Sequence, residues 1–502
     1  MNKLRQTFKI SGLLFFSIIV SCSERQKEKK DSVIKKPNIV FILTDDQRYD
    51  AYSAAGHPFL KTPNIDRLAN EGATFANAFV TTSICAPSRG SILTGMYAHS
   101  SGVPTIESLK DPNPKWPTFS QLLQKAGYET AFLGKWHMAR HKRPRRGFNH
   151  WVSFYNQGNY FGNELNVDGH LVWEGGYITD VLTEYALDFL EKTDNEKPFM
   201  LYLSHKAVHS PFTPADRHKT LFDTVEVISK HNPNDILQNK QKWRKERERS
   251  ENPQINQNAI KNYNRAITAV DDGLGKILKL LEKKKVLDNT LIVFSSDNGY
   301  FQGEHGGMSD KRHAYEPSIR VPMLMRFPKI FDQKSIYEEM VLNIDLMPTF
   351  LDMAGVAIPE TVQGQSIIPV AKRKQKGRAS FLYEYFQEDY DYSERPTVLA
   401  VRTNDYKLIT YPELHGAINE LYNLREDPEE LFNLYEIREY SKVRVSLERK
   451  IEELKSVTDF KMNPPTPREN LEMIQMWQNK KGYNVRSNAI ELHDSIVRGN
   501  KK

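Results

Sequence analysis

The feature that most constrains the fold is a set of short apolar runs, each followed directly by polar residues. Residues 38–43 are mostly apolar and β-branched and begin after Pro37, and similar runs cover residues 128–133, 199–203 and 290–294. Apolar runs of this length are typical of strands that are buried on both faces, as in parallel sheets. The sequence therefore predicts several buried parallel strands.

Helical patterns lie between these runs. Thr62 and Pro63 precede a short amphipathic pattern that stops at Gly72, which predicts a capped helix. Apolar positions within residues 263–281 keep helical spacing over about five turns. Because strands alternate with helices, we predict an α/β fold in which a large, mainly parallel sheet is sandwiched by helices.

The pattern changes after about residue 375. Three short strand patterns and one amphipathic helical pattern follow, at residues 380–385, 398–401, 406–410 and 443–454. This order predicts a smaller antiparallel α+β subdomain. We therefore assign residues 37–375 to the larger domain and residues 376–502 to a C-terminal subdomain and tail. Residues 222–258 are polar and charged, and we expect a surface insertion there.

The N-terminal segment has the features of an export signal. Three basic residues precede the apolar run of residues 10–20, which is too short to span a membrane comfortably. The run ends in a sequence that resembles the lipobox of a bacterial lipoprotein, with Cys22 as the lipidated residue. Residues 1–21 would then be the signal peptide and residues 22–36 a charged, lipid-anchored linker. A plain signal peptide with an incidental cysteine is the alternative.

Composition bears on the partners of the chain. Hydrophobic residues make up 39% and charged residues 26% of the 502 residues, as in a globular protein with ample core. The net charge of +7 is modest for this length and is scattered along the chain. Because there is also no nucleic-acid-binding motif, we expect no nucleic-acid partner.

Polar residues follow all four predicted strands, at residues 44–47, 134–137, 204–209 and 295–298. Ligand sites in open α/β sheets lie beyond the carboxyl ends of the strands, so these segments are expected to converge. Among them, the oxygen donors suited to Ca²⁺ or Mg²⁺ are Asp45, Asp46, Asp297 and Asn298. Each pair alone is better explained by a turn or a helix cap, but two pairs that each follow a buried apolar strand favour a common site. Burying three carboxylates without a cation would be too costly, which favours a metal site.

Four basic residues are further candidates. Lys135 and His137 flank Trp136, and alternation in an extended segment would place both on one side. His209 lies in the loop after the third strand, and Lys311 lies in a charged run. A structural histidine or a solvated surface lysine is the alternative interpretation of each.

Cys85 is one of only 2 cysteines in the chain. It begins a Cys-x-Pro-x-Arg pattern that continues to Arg89, and this spacing resembles the signature for conversion of cysteine to formylglycine in type I sulfatases. Residues 88–90 are expected to open a helix whose N-terminal dipole faces an anion. Since Cys22 and Cys85 both have predicted modifications, we expect no disulfide.

Further motifs resemble the type I sulfatase family of the alkaline phosphatase superfamily. In chain order they are residues 37–46, 62–66, 85–95, 134–137, 296–299, 320–322 and 420–429. Several spaced motifs in the right order are far more specific than Cys-x-Pro-x-Arg alone. The resemblance implies an alkaline phosphatase-like fold, with residues 37–375 as the sulfatase catalytic domain, and hydrolysis of sulfate esters.

The resemblance also implies the nucleophile and its metal. Cys85 would become formylglycine (3-oxoalanine), whose hydrate attacks sulfur, and Arg89 would hold that hydrate. A formylglycine-generating maturase is therefore an implied partner. One calcium ion, with magnesium as the alternative, would be bound by the modified residue 85 together with Asp45, Asp46, Asp297 and Asn298.

The four basic candidates receive roles from the same resemblance. Lys135 and Lys311 would clamp sulfate oxygens. His209 would protonate the leaving alcohol, and His137 would take a proton from the sulfated hydrate, which expels sulfate.

The substrate is expected to be a sulfated carbohydrate. An exported, lipid-anchored bacterial enzyme of this type would act on oligosaccharides from algal polysaccharide such as ulvan, or on amino-sugar 6-sulfates of glycosaminoglycans. Residues 147–169 are similar to sulfatases of the second kind. Residues 154–161 and Trp173 form a polar-aromatic stretch that is a candidate for sugar subsites, with ordinary core and loop as the alternative. We expect attachment facing the periplasm, with the cell surface as the alternative.

Two other functions stay open. Relatives with the same modified cysteine hydrolyse phosphonate or phosphate esters. A lipid-anchored protein that keeps the Cys85 thiol would bind sulfated glycan without hydrolysing it, but the polar residues at four strand ends disfavour this.

Overall fold

A mixed sheet of ten strands forms the centre of the computed structural model, which describes residues 35–108, 110–139, 141–194, 196–228, 230, 240, 256–388, 395–414 and 416–462. The strands of these residues are β1 (Asn38–Thr44), β2 (Ala73–Phe75), β3 (Ala78–Phe79), β4 (Glu129–Gly134), β5 (His150–Phe154), β6 (Phe161–Val167), β7 (His170–Tyr177), β8 (Phe199–Ser204), β9 (Thr290–Ser296), β10 (Met323–Arg326), β11 (Ser335–Tyr337), β12 (Val341–Leu342), β13 (Ser380–Tyr385), β14 (Val398–Thr403), β15 (Tyr406–Thr410) and β16 (Glu420–Asn423).

The strand order in the large sheet is β11-β2-β10-β9-β1-β8-β4-β5-β6-β7. The five central strands β9, β1, β8, β4 and β5 are parallel to one another. The pairs β9–β10, β10–β2, β5–β6 and β6–β7 are antiparallel, and β2–β11 is parallel. The predicted α/β class is therefore confirmed, with parallel pairing in the centre and antiparallel strands towards both edges.

The longer helices of the described residues are α1 (Pro63–Glu71), α2 (Cys85–Thr94), α3 (Phe119–Lys125), α4 (Ile178–Lys192), α5 (Gln257–Lys283), α6 (Leu346–Met353) and α7 (Ser441–Val457). Single helical turns occur at Ala98–Ser101, Glu304–Gly307, Glu316–Ile319 and Ile368–Ala371. Short 3₁₀ segments lie at Ser53–Ala55, Ile106–Ser108, Asp216–His218, Leu287–Asn289, Asn343–Asp345 and Arg438–Tyr440.

Helices cover both faces of the large sheet. Alternate residues of β1 point to opposite faces, so Phe41 belongs to one core cluster and Val40 and Ile42 belong to the other. The first cluster includes residues of α2, α3, α6 and α7, and the second includes residues of α1, α4 and α5. This two-sided burial explains why the central strands are apolar along their whole length.

A second, antiparallel sheet of order β13-β14-β15-β16 follows, as predicted for the C-terminal region. The last of its strands, β16, was not predicted. The rings of Phe79 and Phe381 stack with centroids 5.2 Å apart, and one apolar cluster contains residues of both sheets. Because this core is continuous, the domain boundary near residue 375 stays a prediction.

Some predictions fall on residues outside those described. The signal peptide, Cys22 and the linker up to residue 34 lie there, as does most of the predicted insertion of residues 222–258. Within the described ranges, no helix combines the length and the apolar character needed to cross a bilayer.

Candidate active site

Four neighbouring parallel strands bring the predicted polar segments to one edge of the sheet. β9, β1, β8 and β4 lie side by side, and their last residues pair directly, with Thr44 opposite Ser296 and Gly134 opposite Ser204. The carboxyl ends of these strands therefore open at the same level. The prediction that the segments converge is confirmed.

The oxygen donors after β1 and β9 form one cluster. The Asp46 backbone N–H donates to Asp297 Oδ1 at 3.1 Å, and Asn298 Nδ2 donates to Asp46 Oδ1 at 2.5 Å. All four residues are buried. Asp45 Oδ1 and Asn298 Oδ1 are buried oxygens that accept no hydrogen bond from any described residue. Two unsatisfied oxygens in an acidic cluster are a costly arrangement unless a cation binds them.

Arg89 ties this cluster to two other strand ends. Its Nε lies 2.8 Å from Asp297 Oδ2, and its Nη2 lies 2.8 Å from the same oxygen and 3.6 Å from Asp45 Oδ2. Its Nη1 donates to the Lys135 carbonyl and to Ser204 Oγ, both at 2.6 Å. With only 1% of its surface exposed, Arg89 is a buried cation, and its Nη2 forms ion pairs but no hydrogen bond with the described residues.

Two lysines complete the charge balance. Lys135 Nζ donates to Asp45 Oδ2, and Lys311 Nζ donates to Asp46 Oδ1 and lies 4.0 Å from Asp45 Oδ1. Both lysines are almost completely buried, so neither is the solvated surface group of the alternative interpretation. The charges of the three carboxylates and the three basic residues cancel. A divalent cation added here would therefore leave the site positive and suited to an anionic ester.

The cations act differently on the three carboxylates. Burial alone would raise the pKa of Asp45, but Lys135, His209 and Arg89 outweigh it and hold this pKa well below its usual range. Burial raises the pKa of Asp46 to about 7, against the opposing charge of Lys311. Burial and the charge of Asp45 also raise the pKa of Asp297. Crowded carboxylates of this kind favour binding of a cation.

The residues present fit a hard divalent cation. Asp45, Asp46 and His209 each offer a ligand atom, and these atoms lie within 4.8 Å of one another. The unsatisfied oxygens of Asp45 and Asn298 add donors of the kind that calcium and magnesium prefer. The donor set supports a metal centre without identifying the ion.

Cys85 lies at the beginning of α2, beside this cluster. It is buried, and the charges of Lys311, Lys135 and Asp45 act on its thiol. Burial raises the pKa of the Cys85 thiol, against the opposing effect of the two lysines. The helix begins at Cys85 and not at residues 88–90, so the predicted helix start was wrong by three residues. Residue 85 itself therefore lies at the positive end of the helix dipole.

Two histidines lie at the entrance to the cluster. His209 Nε2 is 3.9 Å from Asp46 Oδ2, and its Nδ1 is 2.6 Å from the Ser210 carbonyl oxygen. His137 Nδ1 is buried without a hydrogen-bond partner among the described residues. Burial and Lys135 hold the pKa of both histidines well below the usual range, so both imidazoles are neutral near pH 7.

The reason given for pairing Lys135 with His137 was wrong. Strand β4 ends at Gly134, and His137 has a left-handed backbone with φ of 59°, so the segment is not extended. The charge of Lys135 nevertheless acts on His137. A left-handed turn, and not strand alternation, places the two side chains together.

Other residues at the site were missed or given no role. Ser204 Oγ donates to the Lys135 carbonyl oxygen at 2.8 Å and also accepts from Arg89. Lys206 lies 5.0 Å from the centre of the Tyr160 ring, and burial lowers its pKa to about 8. Glu304, whose segment had no assigned role, lies 2.7 Å from Arg48 Nη1. The position of Ser204 at a strand end was a usable signal, whereas nothing local marks Lys206 as buried.

The polar-aromatic stretch divides between core and surface. Phe154 and Tyr160 are buried, as in the core alternative, whereas Tyr155, Phe161 and Trp173 are exposed. Tyr160 reaches the active site, since its hydroxyl donates to the His209 carbonyl oxygen at 2.8 Å.

Comparison with known families identifies two matching regions. Residues 37–356 match the family described as Sulfatase. Residues 303–457 match the family described as N-sulphoglucosamine sulphohydrolase, C-terminal. These regions span the sheet edge that carries the cluster and the C-terminal sheet.

Individual relatives match over most of their length. The chain is 32% identical to the N-acetylglucosamine-6-O-sulfatase of Bacteroides thetaiotaomicron, over 90% of this chain and 91% of that protein. It is 28% identical to the ulvan-active sulfatase of Formosa agariphila, over 90% of this chain and 88% of that protein.

Two solved structures bear on substrate and fold. One holds a protein in complex with its substrate D-glucosamine-2-N,6-O-disulfate, with a TM-score of 0.76 and 31% identity over 86% of this chain and all of that chain. The phosphonate monoester hydrolase of Agrobacterium radiobacter has a TM-score of 0.68 at 20% identity, covering 84% of this chain and 96% of that chain. The second likeness concerns the fold alone.

Proposed function

Because the chain belongs to the sulfatase family and is a sulfuric ester hydrolase, we propose that it removes the 6-O-sulfate from an amino sugar at the end of a sulfated oligosaccharide. The observation that carries this substrate class is the match, over nine tenths of both chains, to a relative that is an N-acetylglucosamine-6-O-sulfatase. The structural relative bound to a 6-O-sulfated glucosamine supports the same class.

The proposed nucleophile is formylglycine made from Cys85 by a maturase. When present, its hydrate supplies a hydroxyl nucleophile with a second hydroxyl group on the same carbon, an arrangement that no standard side chain offers. The position of Cys85 at the beginning of α2, beside Arg89, supports this assignment. Arg89 would fix the position of the modified residue, since its other donors are already bound to Asp297, Lys135 and Ser204.

The proposed metal is calcium, held by Asp45, Asp46, Asp297, Asn298 and residue 85. When bound, it would attract the sulfate group and offset the negative charge that develops on it. In the metal-bound enzyme the oxygens of Asp45 and Asp46 would face the cation. Lys135 and Lys311, which now bind those oxygens, would then be free to bind sulfate oxygens.

The two histidines suit proton transfer in opposite directions. A bound sulfate would add negative charge near His209 and raise its pKa, so that the imidazole can carry the proton needed by the leaving alcohol. His137, which is neutral and has an unpartnered Nδ1, would accept a proton as a base. The 17% exposure of the His209 side chain leaves it open to the alcohol side of the ester.

A second candidate substrate is sulfated algal polysaccharide. The similarity to an ulvan-active sulfatase covers as much of the chain, at lower identity. Phosphonate or phosphate ester hydrolysis has support from the shared fold alone, which does not determine the reaction.

The test measures what the matured full-length protein releases: sulfate from N-acetylglucosamine-6-sulfate and from ulvan oligosaccharides, and phosphate from a phosphate monoester with the same alcohol as the first substrate. We expect release from the amino-sugar 6-sulfate and none above the Cys85→Ala control for the other two. Release from ulvan alone would establish the second substrate. Faster hydrolysis of the phosphate ester would refute a sulfatase function.

We also propose that the mature protein is exported and anchored by a lipid on Cys22, facing the periplasm. The lipobox-like sequence before Cys22 supports this proposal. Labelling of growing cells with a fatty acid should modify the native chain and not a Cys22→Ser variant. Equal labelling of both would contradict the proposal.

A further inference from the structure

Exposed apolar residues are concentrated in one segment of the chain, outside the catalytic cluster. Four of the ten large apolar side chains that are exposed among the described residues fall between residues 155 and 173, namely Tyr155, Phe161, Leu171 and Trp173. Trp173 is 70% exposed and belongs to β7, the edge strand of the large sheet. Single exposed apolar residues need no explanation, but Leu171 and Trp173 lie two residues apart on β7 and therefore share one face, and an exposed apolar patch is typical of a binding surface.

This segment adjoins the active site. Tyr160, whose hydroxyl bonds the His209 backbone, lies just before β6, and Gly162 follows two residues later. The Trp173 ring covers Gly162, because a Cβ built on Gly162 would lie 3.3 Å from Trp173 Cζ2. Two strand residues span about 7 Å. An oligosaccharide whose terminal sugar lies at His209 would therefore reach Trp173 within a few sugar units.

A basic loop lies on the same face of the sheet. Residues 141–146 read His-Lys-Arg-Pro-Arg-Arg. Lys142 Nζ bonds the carboxylate of Glu164, and Glu164 is the residue directly opposite Trp173 across the β6–β7 pair. Residues that are directly opposite across an antiparallel pair share a face. The loop is therefore next to the Trp173 ring.

The arginines of this loop divide into anchored and free groups. Arg145 lies 5.5 Å from the ring centres of both Trp136 and Trp151 and bonds Asp111 at 3.0 Å. Arg143 and Arg146 are exposed and form no ion pair with any other described residue. An anchored loop thus presents two uncommitted guanidinium groups, which suit planar, bidentate binding of sulfate.

We infer that Trp173 and Arg143 form an accessory subsite for distal sugars of a sulfated oligosaccharide. The indole ring packs against the apolar face of a sugar ring, and the guanidinium group binds a sulfate on the same chain. This inference rests on the proposed function, because the proposed function places the reducing-side sugars of the substrate on the face next to His209. It makes the enzyme prefer sulfated oligosaccharides to sulfated monosaccharides.

The experiment compares N-acetylglucosamine-6-sulfate with a heparan-type hexasaccharide that carries the same terminal sugar. The variants are Trp173→Ala and Arg143→Ala, and the matched controls are Ile336→Ala, at an exposed apolar residue of the opposite edge strand β11, and Lys374→Ala elsewhere on the surface. Hiding roughly 60 Å² of apolar ring surface is worth about a factor of ten. We expect Trp173→Ala to raise KM for the hexasaccharide about tenfold, with kcat unchanged and the monosaccharide affected less than twofold.

Arg143→Ala should raise the hexasaccharide KM about threefold to fivefold at low salt, because an exposed ion pair contributes little and is screened. At high salt the difference from wild type should vanish. Both control variants should match wild type on both substrates.

Results that contradict the subsite can be distinguished from results that contradict the proposed function. Equal losses on the two substrates, no loss, or an equal loss in Ile336→Ala would overturn the subsite. A wild-type dimer that Trp173→Ala converts to monomers would also overturn it, as a self-association surface. A wild-type enzyme that hydrolyses neither substrate refutes the proposed function alone, because hexasaccharide binding to wild type and Trp173→Ala, measured by calorimetry, still tests the subsite.

Discussion

Replacement of Arg89 by alanine tests the central electrostatic arrangement of the site. The side chain is 1% exposed and makes close contacts with Asp297, the Lys135 carbonyl and Ser204. Removing one partner of a buried ion pair costs about 3–5 kcal/mol, because the remaining charge is left uncompensated. Here the charge left behind is the Asp297 carboxylate.

The loss converts to a measurable change in melting temperature. With an unfolding entropy of about 2.1 cal/mol/K per residue, the unit of residues 36–502 has a total of about 1 kcal/mol/K. A loss of 3–5 kcal/mol therefore lowers Tm by about 3–5 °C. Arg89→Lys should fall between wild type and Arg89→Ala, since it keeps the charge but cannot reach three acceptors.

The assay is thermal unfolding in the presence of EDTA, followed by circular dichroism. The matched control is Arg217→Ala, because Arg217 also binds two carboxylates, Asp180 and Asp272, but is 43% exposed. Exposed pairs contribute about 0–1 kcal/mol, so this control should lower Tm by about 1 °C or less. If Arg89→Ala unfolds at the same temperature as Arg217→Ala, the argument from buried charge is refuted.

Three further predictions concern pH, metal and proton transfer. Burial lowers the pKa of His205 to about 4, so the folded state binds fewer protons than the unfolded state between that pH and about 6.5. The contribution of His205 to the free energy of unfolding is therefore fully present above pH 6.5 and falls by about 3 kcal/mol as the pH drops towards 4. His205→Phe should remove this loss, which urea unfolding at pH 7 and pH 5 measures. An unchanged loss in the variant would contradict the assignment to His205. Calcium at about 100 times its Kd should stabilise the wild type by about 2.7 kcal/mol and Asp46→Asn much less, whereas equal thermal shifts would argue against the metal site. His209→Ala should lower kcat for a sugar sulfate by about 10²–10⁴-fold and for 4-nitrophenyl sulfate far less, since that leaving group needs no proton; equal losses would exclude a general acid role.

The central strands and the catalytic cluster were accessible from the sequence. Strands buried on both faces are apolar throughout, so the polar residues after them, such as Asp45 and Asp297, mark the strand ends sharply. Parallel neighbours then place those ends at one edge without knowledge of the strand order. That is why convergence could be predicted although β1 and β9 are far apart in the chain.

The edges of the sheet were not accessible in the same way. Strands β6 and β7 carry exposed apolar residues such as Trp173 and Leu171, so they lack the alternation that identifies a half-buried strand. The short strands β2, β10 and β11 depend on pairing with neighbours more than on local preference. Likewise, the left-handed backbone of His137 depends on tertiary contacts that no local pattern specifies.

The most direct test is the chemical state of residue 85. Peptide mass spectrometry across Cys85, on protein from a host with a formylglycine-generating maturase, should detect the aldehyde in the fraction of molecules that releases sulfate. The thiol form and Cys85→Ala should release none. A fully unmodified thiol in protein that still hydrolyses the sulfate ester would contradict the account. So would a modified residue 85 in protein that only binds sulfated glycan.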